Sequence, residues 1–196
     1  MNILIMGDSW AADWSKKYTE YSGWPELLAD QHSVTNIAQA GVCQYSICKQ
    51  FADVNPENFD RVIISITSPY RVYTPVHPVH RSDPLHSASD LIYTDLEHHV
   101  NTGNQNTRLL SAVKYFEHHF DTEQAEFSHK LYTDWCLSRL NPDTTIVTSN
   151  IQHNDPDTEH QYIDGHGVWL TYPGKINHLS AEGNEVFVSN IVRVLT

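Results

Sequence analysis

The sequence predicts an α/β fold, in which helices surround a central parallel sheet. Two apolar runs, at 3–6 and 61–67, have the aliphatic and β-branched residues of strands that are buried on both faces. Strand-like and helix-like segments alternate from the first run onward, which is the pattern of a parallel sheet with right-handed crossovers. A stretch at about 88–141 interrupts this alternation, and we expect it to be a helical insertion.

Local signals place the elements of the first half. Pro25 stands near a helical start and precedes a Leu pair, which predicts a helix that ends at about Gln31. Arg61 to Thr67 is the strongest strand because it is nearly continuous in β-branched residues. The predicted elements are a strand at 3–6, a loop or short helix at 10–18, a helix ending near 31, a strand at 33–37, a helix at 43–52 and a strand at 61–67.

The second half is less regular. Residues 72–88 are rich in Pro and His and too long for an ordinary connection, which predicts a functional or a mobile loop. Asp121 stands in a cap position three residues before Gln124. The expected elements are a helix starting at 87–90, a helix after Asp121 with Phe127, Leu131 and Trp135 at helical spacing, its end at Asn141-Pro142, a strand at 144–148, a short strand at 168–170, and a helix at 180–195 with Val186, Phe187, Ile191, Val194 and Leu195 inside.

Length and composition favour one domain that spans residues 1–196. The formal net charge is −12 and the twelve Lys and Arg are scattered, so neither a nucleic acid nor an anionic membrane is an expected partner. The N-terminal apolar run is too short for a signal segment, and no run approaches the length of a membrane span. We therefore expect a protein that stays in the cytoplasm where it is made; its oligomeric state is left open.

No cofactor or metal is expected. Cys43, Cys48 and Cys136 show no Cys-x-x-Cys spacing, which argues against a zinc site or a disulfide framework and favours three reduced thiols. Glycine-rich nucleotide-binding patterns are absent from the sequence. Three pairs of histidines lack a matching carboxylate or Cys spacing and are predicted to be surface or loop residues. The pairs are His77 and His80, His98 and His99, and His118 and His119.

The candidate site begins at Gly7-Asp8-Ser9, directly after the first strand. A strand that stops there places the Ser9 hydroxyl at the carboxyl edge of the sheet, where open α/β folds build their sites. The same three residues are also common in an ordinary turn. His178 precedes the final helix and can reach the same edge, where it would supply the base that a serine nucleophile needs. Taken alone, one histidine among thirteen is more often a surface residue.

Four stretches, in this order along the chain, resemble the SGNH (GDSL-type) esterases and lipases. They are Gly7-Asp8-Ser9, Asn36-Ile-Ala-Gln-Ala-Gly41, the strand end Ile66-Thr67-Ser68, and His178-Leu179-Ser180 with Gly183. The resemblance implies a flavodoxin-like three-layer α/β/α sandwich, Ser9 as nucleophile and His178 as general base. It also implies an oxyanion hole formed by the backbone N–H groups of Ser9 and Gly41. Small residues around Gly41 suit that role, because an amide must approach the substrate oxygen closely.

The chain departs from the family pattern at two places. Where the family has Gly-x-Asn-Asp, with the Asn as third oxyanion donor, this chain has Thr67-Ser68-Pro69-Tyr70-Arg71, so a hydroxyl of Thr67 or Ser68, or Arg71, is the alternative donor. Where the family has an Asp before the histidine, this chain has Lys175. The base is then a Ser-His dyad, or His178 is oriented by Asn177, a carbonyl or an Asp of the 155–164 loop. Versions with Thr-Ser-Pro-x-Arg resemble phage-encoded members, which act in a host-cell cytoplasm.

These observations predict an ester hydrolase for a small acyl group, such as an O-acetyl group of a carbohydrate. The expected substrate contacts are Asp8, Trp10, Tyr70 and Arg71; the rings of Trp10 and Tyr70, and of Trp14 nearby, are expected to stack on sugar rings. The alternative is a catalytically degenerate module that keeps the fold and binds a glycan or a protein partner in the same cleft. Loss of both the family Asn and the family Asp motivates it, since a fold does not prove an activity.

Overall fold

Five parallel strands form the centre of the computed structural model, which describes residues 1–17, 22–151, 159–174 and 178–195. The strands are β1 (Asn2–Met6), β2 (Ser33–Asn36), β3 (Arg61–Ile66), β4 (Thr145–Ser149) and β5 (Gln161–Asp164). They pair in the order β2-β1-β3-β4-β5, which is the flavodoxin-like order. The central position of β1 and β3 explains their apolar runs, because side chains on both faces of these strands are buried.

Helices cover both faces of this sheet. They are α1 (Trp24–Ala29), α2 (Gln44–Ala52), α3 (Tyr93–Asn101), α4 (Thr107–His118), α5 (Thr122–Leu137), α6 (Gly165–Thr171) and α7 (Ala181–Leu195). On one face, Ile5 of β1 belongs to a core with Trp24 of α1 and Phe187 of α7. On the other face, Leu4 belongs to a core with Ile47 of α2 and Leu137 of α5. The chain is therefore a three-layer α/β/α sandwich, which confirms the predicted fold class.

The helical insertion is also confirmed: α3, α4 and α5 lie between β3 and β4. Its first helix begins at Tyr93 and not at 87–90. Asp90 does not cap that helix, because its carboxylate accepts hydrogen bonds from the Cys43 amide at 2.8 Å and the Ser46 hydroxyl at 2.7 Å, at the start of α2. It also accepts one from the Thr74 amide at 2.8 Å. Asp90 thus ties the irregular 72–88 segment to α2.

Helix α5 begins where the sequence predicts it but ends at Leu137, before the expected end at Asn141-Pro142. Asp121 caps it by accepting a hydrogen bond from the Gln124 amide at 2.8 Å. Its apolar stripe faces outward, however. Phe127, Leu131 and Trp135 are 66%, 52% and 39% exposed. The buried residues of α5 are Thr133, Cys136 and Leu137. Helical spacing of apolar residues therefore identified the helix but not the face that packs.

The predicted strand at 168–170 is wrong, because these residues belong to α6. Asp164 starts this helix by accepting a hydrogen bond from the Gly167 amide at 2.9 Å. The strand of this region is β5, a short edge strand that the sequence analysis missed. Helix α7 is confirmed, with Val188 in the core and Val186 only partly buried.

None of the helices in the described parts of the chain is long and apolar enough to cross a membrane.

Candidate active site

The loops that follow β1, β2 and β3 share the carboxyl edge of the sheet, because these strands are parallel neighbours. Ser9 lies three positions after the end of β1, Gly41 lies five after the end of β2, and Thr67 directly follows β3. The first two loops are joined by a hydrogen bond from the Gln39 amide to the Gly7 carbonyl at 3.0 Å. The structure thus brings together the first three of the four stretches that the sequence analysis selected.

Gly7 and Gln50 shape the turn before Ser9. Gly7 has a φ of 146°, and a Cβ at this position would lie 2.5 Å from the Cβ of Ser65. The buried Gln50 amide accepts a hydrogen bond from Gly7 N at 2.9 Å and donates one to Gly7 O at 3.0 Å. The sequence analysis missed Gln50, because a glutamine inside a helix carries no local signal of a contact 43 residues away.

The backbone N–H groups of Ser9 and Gly41 donate no hydrogen bond to any residue that the structure describes. The Ser89 hydroxyl donates to the Ala40 carbonyl at 3.0 Å. Because this carbonyl and the Gly41 N–H belong to one trans peptide, the bond directs the N–H away from Ser89. Gly41 has a φ of 80°, and a Cβ there would overlap the Ser89 hydroxyl. Two amides at one sheet edge that have no acceptor among the described residues are suited to bind a carbonyl oxygen or an oxyanion.

Trp14 contacts both candidate catalytic residues. Its indole N–H donates a hydrogen bond to the Ser9 carbonyl oxygen at 2.7 Å. Its ring packs against the His178 ring, with the centroids 4.2 Å apart and the planes at 64°. Ser9 and His178 therefore both contact one indole. The role of Trp14 as a stacking surface for sugar stays a prediction.

His178 is a largely buried imidazole. Burial lowers its pKa to about 4, with the positive charges of His86 and Arg71 acting in the same direction. It is therefore neutral at pH 7, as a general base must be. Neither its ring nor the Ser9 hydroxyl makes a hydrogen bond within the described residues.

The sequence allows several acceptors as the group that orients His178. Lys175, Asn177 and residues 155–158 lie outside the described residues. Asp164 is described, and its carboxylate caps α6. Beside the site, the Arg71 charge acts on His178 and also on Asp8. Arg71 is therefore a positive charge shared by the surroundings of His178 and Asp8.

Asp8 and Trp10 are interior residues, which corrects the expectation that they contact substrate. Asp8 is 2% exposed and accepts hydrogen bonds from Trp10 N and the Ser65 hydroxyl, both at 3.1 Å. Burial raises the pKa of Asp8, against the opposing charge of Arg71. The Trp10 ring packs on Phe187 at a centroid distance of 5.5 Å. Asp8 thus fixes the turn that carries Ser9, and Trp10 anchors that turn in the core.

The residues after β3 differ in what they can reach. Thr67 is completely buried, so its hydroxyl does not face a substrate, whereas Ser68 is only partly buried. Tyr70 is 42% exposed and donates from its hydroxyl to Glu126 of α5 at 2.7 Å. Arg71 Nη1 donates to the Gly41 carbonyl at 2.9 Å. Of the alternative oxyanion donors, Ser68 and Arg71 are therefore better placed than Thr67.

A groove of about 380 Å³ opens beside Ser68 and Arg71, between α2 and the insertion. Tyr45, Tyr73 and Tyr132 line it, and all three are exposed. The Tyr45 ring lies 4.9 Å from that of Tyr73 and 5.5 Å from that of Tyr132. The sequence analysis missed this aromatic wall, because its members come from three separate segments.

The most metal-like cluster among the described residues is His77, His80 and Asp95, whose ligand atoms lie within 4.8 Å of one another. His77 is buried and lies in a loop, so of the two predicted alternatives the loop position is confirmed and the surface position is wrong. Its Nδ1 accepts hydrogen bonds from the amides of Val79 and His80, each at 3.2 Å, so its Nε2 carries the proton and offers no lone pair to a metal. His80 donates to Asp95 at 3.0 Å. Hydrogen bonds therefore fix the rings of His77 and His80 in this cluster.

Comparison with known proteins gives little further assignment. No protein-family model matches the chain, and no curated protein matches it. A solved structure from Desulfitobacterium hafniense DCB-2, named as a lipolytic protein of the G-D-S-L family, is similar at 15% sequence identity and a TM-score of 0.46, over 98% of each chain. A similarity at this level does not assign a family or an activity. The fold assignment rests on the strand order and the two helical layers of this chain.

Proposed function

We propose that this chain is a serine ester hydrolase. Ser9 attacks the acyl carbonyl, His178 takes the hydroxyl proton and returns it to the leaving alcohol, and the amides of Ser9 and Gly41 bind the oxyanion. A water molecule that gives a proton to His178 then attacks the acyl group on Ser9, so that the carboxylic acid leaves and the Ser9 hydroxyl regains its proton. The observation that carries the proposal is the pair of backbone N–H groups that donate to no described residue, one of them on the candidate nucleophile itself. The neutral state of His178 and the burial of its ring support the same role.

The proposed substrate is a small acyl ester on a carbohydrate. The exposed rings of Tyr45, Tyr73 and Tyr132 favour a sugar in the groove, because aromatic faces bind the apolar faces of sugar rings. Ser68 and Arg71 line the same groove and connect it to the strand edge. The acyl group would then lie toward Ser9 and the sugar toward the tyrosines.

A non-catalytic module that binds a glycan in this groove is the second candidate. It is favoured by the absence, within the described residues, of any hydrogen bond that orients the His178 ring. In that case the tyrosine wall would be functional, while Ser9 and His178 would not. The two candidates make different predictions for the same set of variants.

Hydrolysis of p-nitrophenyl acetate by the wild type, Ser9→Ala and His178→Ala tests the proposal. We expect each substitution to lower kcat/KM by about 10³-fold or more. His118→Ala, which changes a 65% exposed side chain on α4, is the matched control and should leave the rate unchanged. If all four proteins hydrolyse the ester equally, or none does, the hydrolase proposal fails for such esters. Glycan binding that is lost in Tyr132→Ala would then support the module.

A further inference from the structure

Two buried thiols meet on the sheet face that α2 and α5 cover. The sulfur atoms of Cys48 in α2 and Cys136 in α5 are 2.9 Å apart, although the residues are 88 positions apart in sequence. The Cys48 thiol also lies 3.3 Å from the Tyr132 carbonyl oxygen, to which it can donate. That leaves the Cys136 thiol as the donor toward the Cys48 sulfur. Both cysteines are free thiols in the structure.

We propose that Cys48 and Cys136 are an oxidisable dithiol, which reacts with a hydroperoxide and closes to a disulfide between α2 and α5. A disulfide bond is about 2.0 Å long, so the two sulfurs need to approach by only about 1 Å. This inference uses none of the residues proposed for ester hydrolysis, so either proposal can fail without the other.

The reaction proceeds in two balanced steps. The Cys48 thiolate attacks one peroxide oxygen, so that an S–O bond forms, the O–O bond breaks, and hydroxide leaves. The Cys136 sulfur then attacks the Cys48 sulfur, so that the S–S bond forms, the S–O bond breaks, and the hydroxyl leaves as water with the Cys136 proton. In total, two thiols lose two electrons and two protons, and one hydrogen peroxide becomes two waters.

The surroundings of the three cysteines favour Cys48 as the attacking thiol. Cys48 is 7% exposed, whereas Cys136 is fully buried. The hydrogen bond from Cys136 lowers the pKa of Cys48 against the effect of burial, and the Arg139 charge adds to it. The same hydrogen bond, together with burial, raises the pKa of Cys136. Burial and the Asp90 charge raise the pKa of Cys43 to about 12, so this third thiol is a poor nucleophile.

The cross-link would join the two walls of the tyrosine groove. Tyr45 belongs to α2, and Tyr132 belongs to α5, one turn before Cys136. A bond between these helices removes conformational freedom from the unfolded chain over a long loop, which stabilises the folded state. Oxidation is therefore expected to stabilise the protein and to hold the groove at a fixed width.

The test treats the reduced full-length protein with an equimolar amount of hydrogen peroxide and then counts free thiols after denaturation. We expect the count to fall from three to one, with a mass loss of two hydrogens and a Cys48–Cys136 cross-link in peptide mapping. The thermal midpoint should rise by roughly 10 °C and return after reduction.

Variants separate the roles of the three thiols. Cys43→Ser should still lose two thiols, which makes it the matched control. Cys136→Ser should stop at a sulfenic acid on Cys48, trapped by dimedone, while its circular dichroism shows that it folds. The proposal is overturned if all three thiols survive peroxide in the wild type, if Cys43 is the first to react, or if Cys48 proceeds to the sulfinic acid without forming the cross-link.

Discussion

The indole of Trp14 packs against the imidazole of His178 with the ring centroids 4.2 Å apart. The same indole donates to the Ser9 carbonyl oxygen at 2.7 Å, so one side chain contacts both the proposed nucleophile and its base. It also shields His178 from water, which contributes to the burial that lowers the pKa of that ring to about 4.

Trp14→Leu should raise the pKa of His178 toward 6.5, because the ring loses the apolar surface that covers it. We expect hydrolysis of the test ester to fall at the same time, since the Ser9 carbonyl loses its donor. An NMR titration of the His178 Cε1 proton measures the first effect directly. Trp135→Leu, which changes an exposed indole on α5, is the control. An unchanged His178 titration in Trp14→Leu would contradict the shielding role.

The rate of ester hydrolysis should depend on pH through His178. A base works only in its neutral form, and a pKa of about 4 keeps that form dominant from pH 7 down to about pH 5. We therefore expect kcat/KM to stay level over this range and to reach half its value near pH 4. A profile that already halves near pH 6.5 would show that His178 is exposed in the working enzyme, or that another group is the base.

Protein stability should fall below neutral pH because of His77. Burial, with the nearby charge of His80, lowers the pKa of His77 to about 4, while an unfolded histidine titrates near 6.5. Between these values the unfolded chain binds more protons than the folded protein, so the contribution of His77 is complete above about pH 6.5 and is lost as the pH falls toward 4.

The variant His77→Asn tests this contribution, because an amide oxygen can still accept from the amides of Val79 and His80. Urea unfolding at pH 7 and pH 5 should show a smaller loss of stability for this variant than for the wild type. His118→Asn, on an exposed side chain, should behave as the wild type does. Equal losses for the wild type and His77→Asn would refute the assignment.

Gly41→Ala and Gly103→Ala form a matched pair. Both glycines have a positive φ, of 80° and 91°, which costs an alanine about 1 kcal/mol. Only at Gly41 would the new Cβ overlap the Ser89 hydroxyl, whereas nothing lies within 4 Å at Gly103. We expect Gly41→Ala to lose about 3 kcal/mol of unfolding free energy and Gly103→Ala about 1 kcal/mol, measured by urea unfolding. Similar values for the two would show that the loop at Gly41 moves to accept the Cβ.

The central strands were predictable because buried parallel strands need continuous apolar sequence, as at 3–6 and 61–67. Ser9 and His178 were selected because each stands beside a predicted element end, whereas Gly41 was selected through the resemblance to the SGNH esterases and lipases. The edge strand β5 was not predicted, because a short polar strand has no continuous apolar run.

Gln50 and the three groove tyrosines were not predicted to be site residues, because only tertiary packing brings them to the site. Trp10 was predicted to contact substrate, because the sequence does not show whether an aromatic side chain after a strand points into the core or toward the site.

The insertion has a consequence for how the chain folds. β3 and β4 are neighbours in register, with Val62 opposite Thr145, yet the chain leaves the sheet for three helices between them. Closing a long loop becomes only about 0.6 kcal/mol harder for each doubling of its length, so the sheet tolerates this excursion. Because α5 packs on α2 before the chain reaches β4, that contact brings the second half of the chain back to the first. We therefore expect Leu137→Ala to refold more slowly than the wild type in stopped-flow measurements. If the variant only unfolds faster and refolds at the wild-type rate, the contact forms after the folding barrier. We therefore expect the α2–α5 contact to bring together, during folding, the two parts of the sheet that the inserted helices separate in sequence.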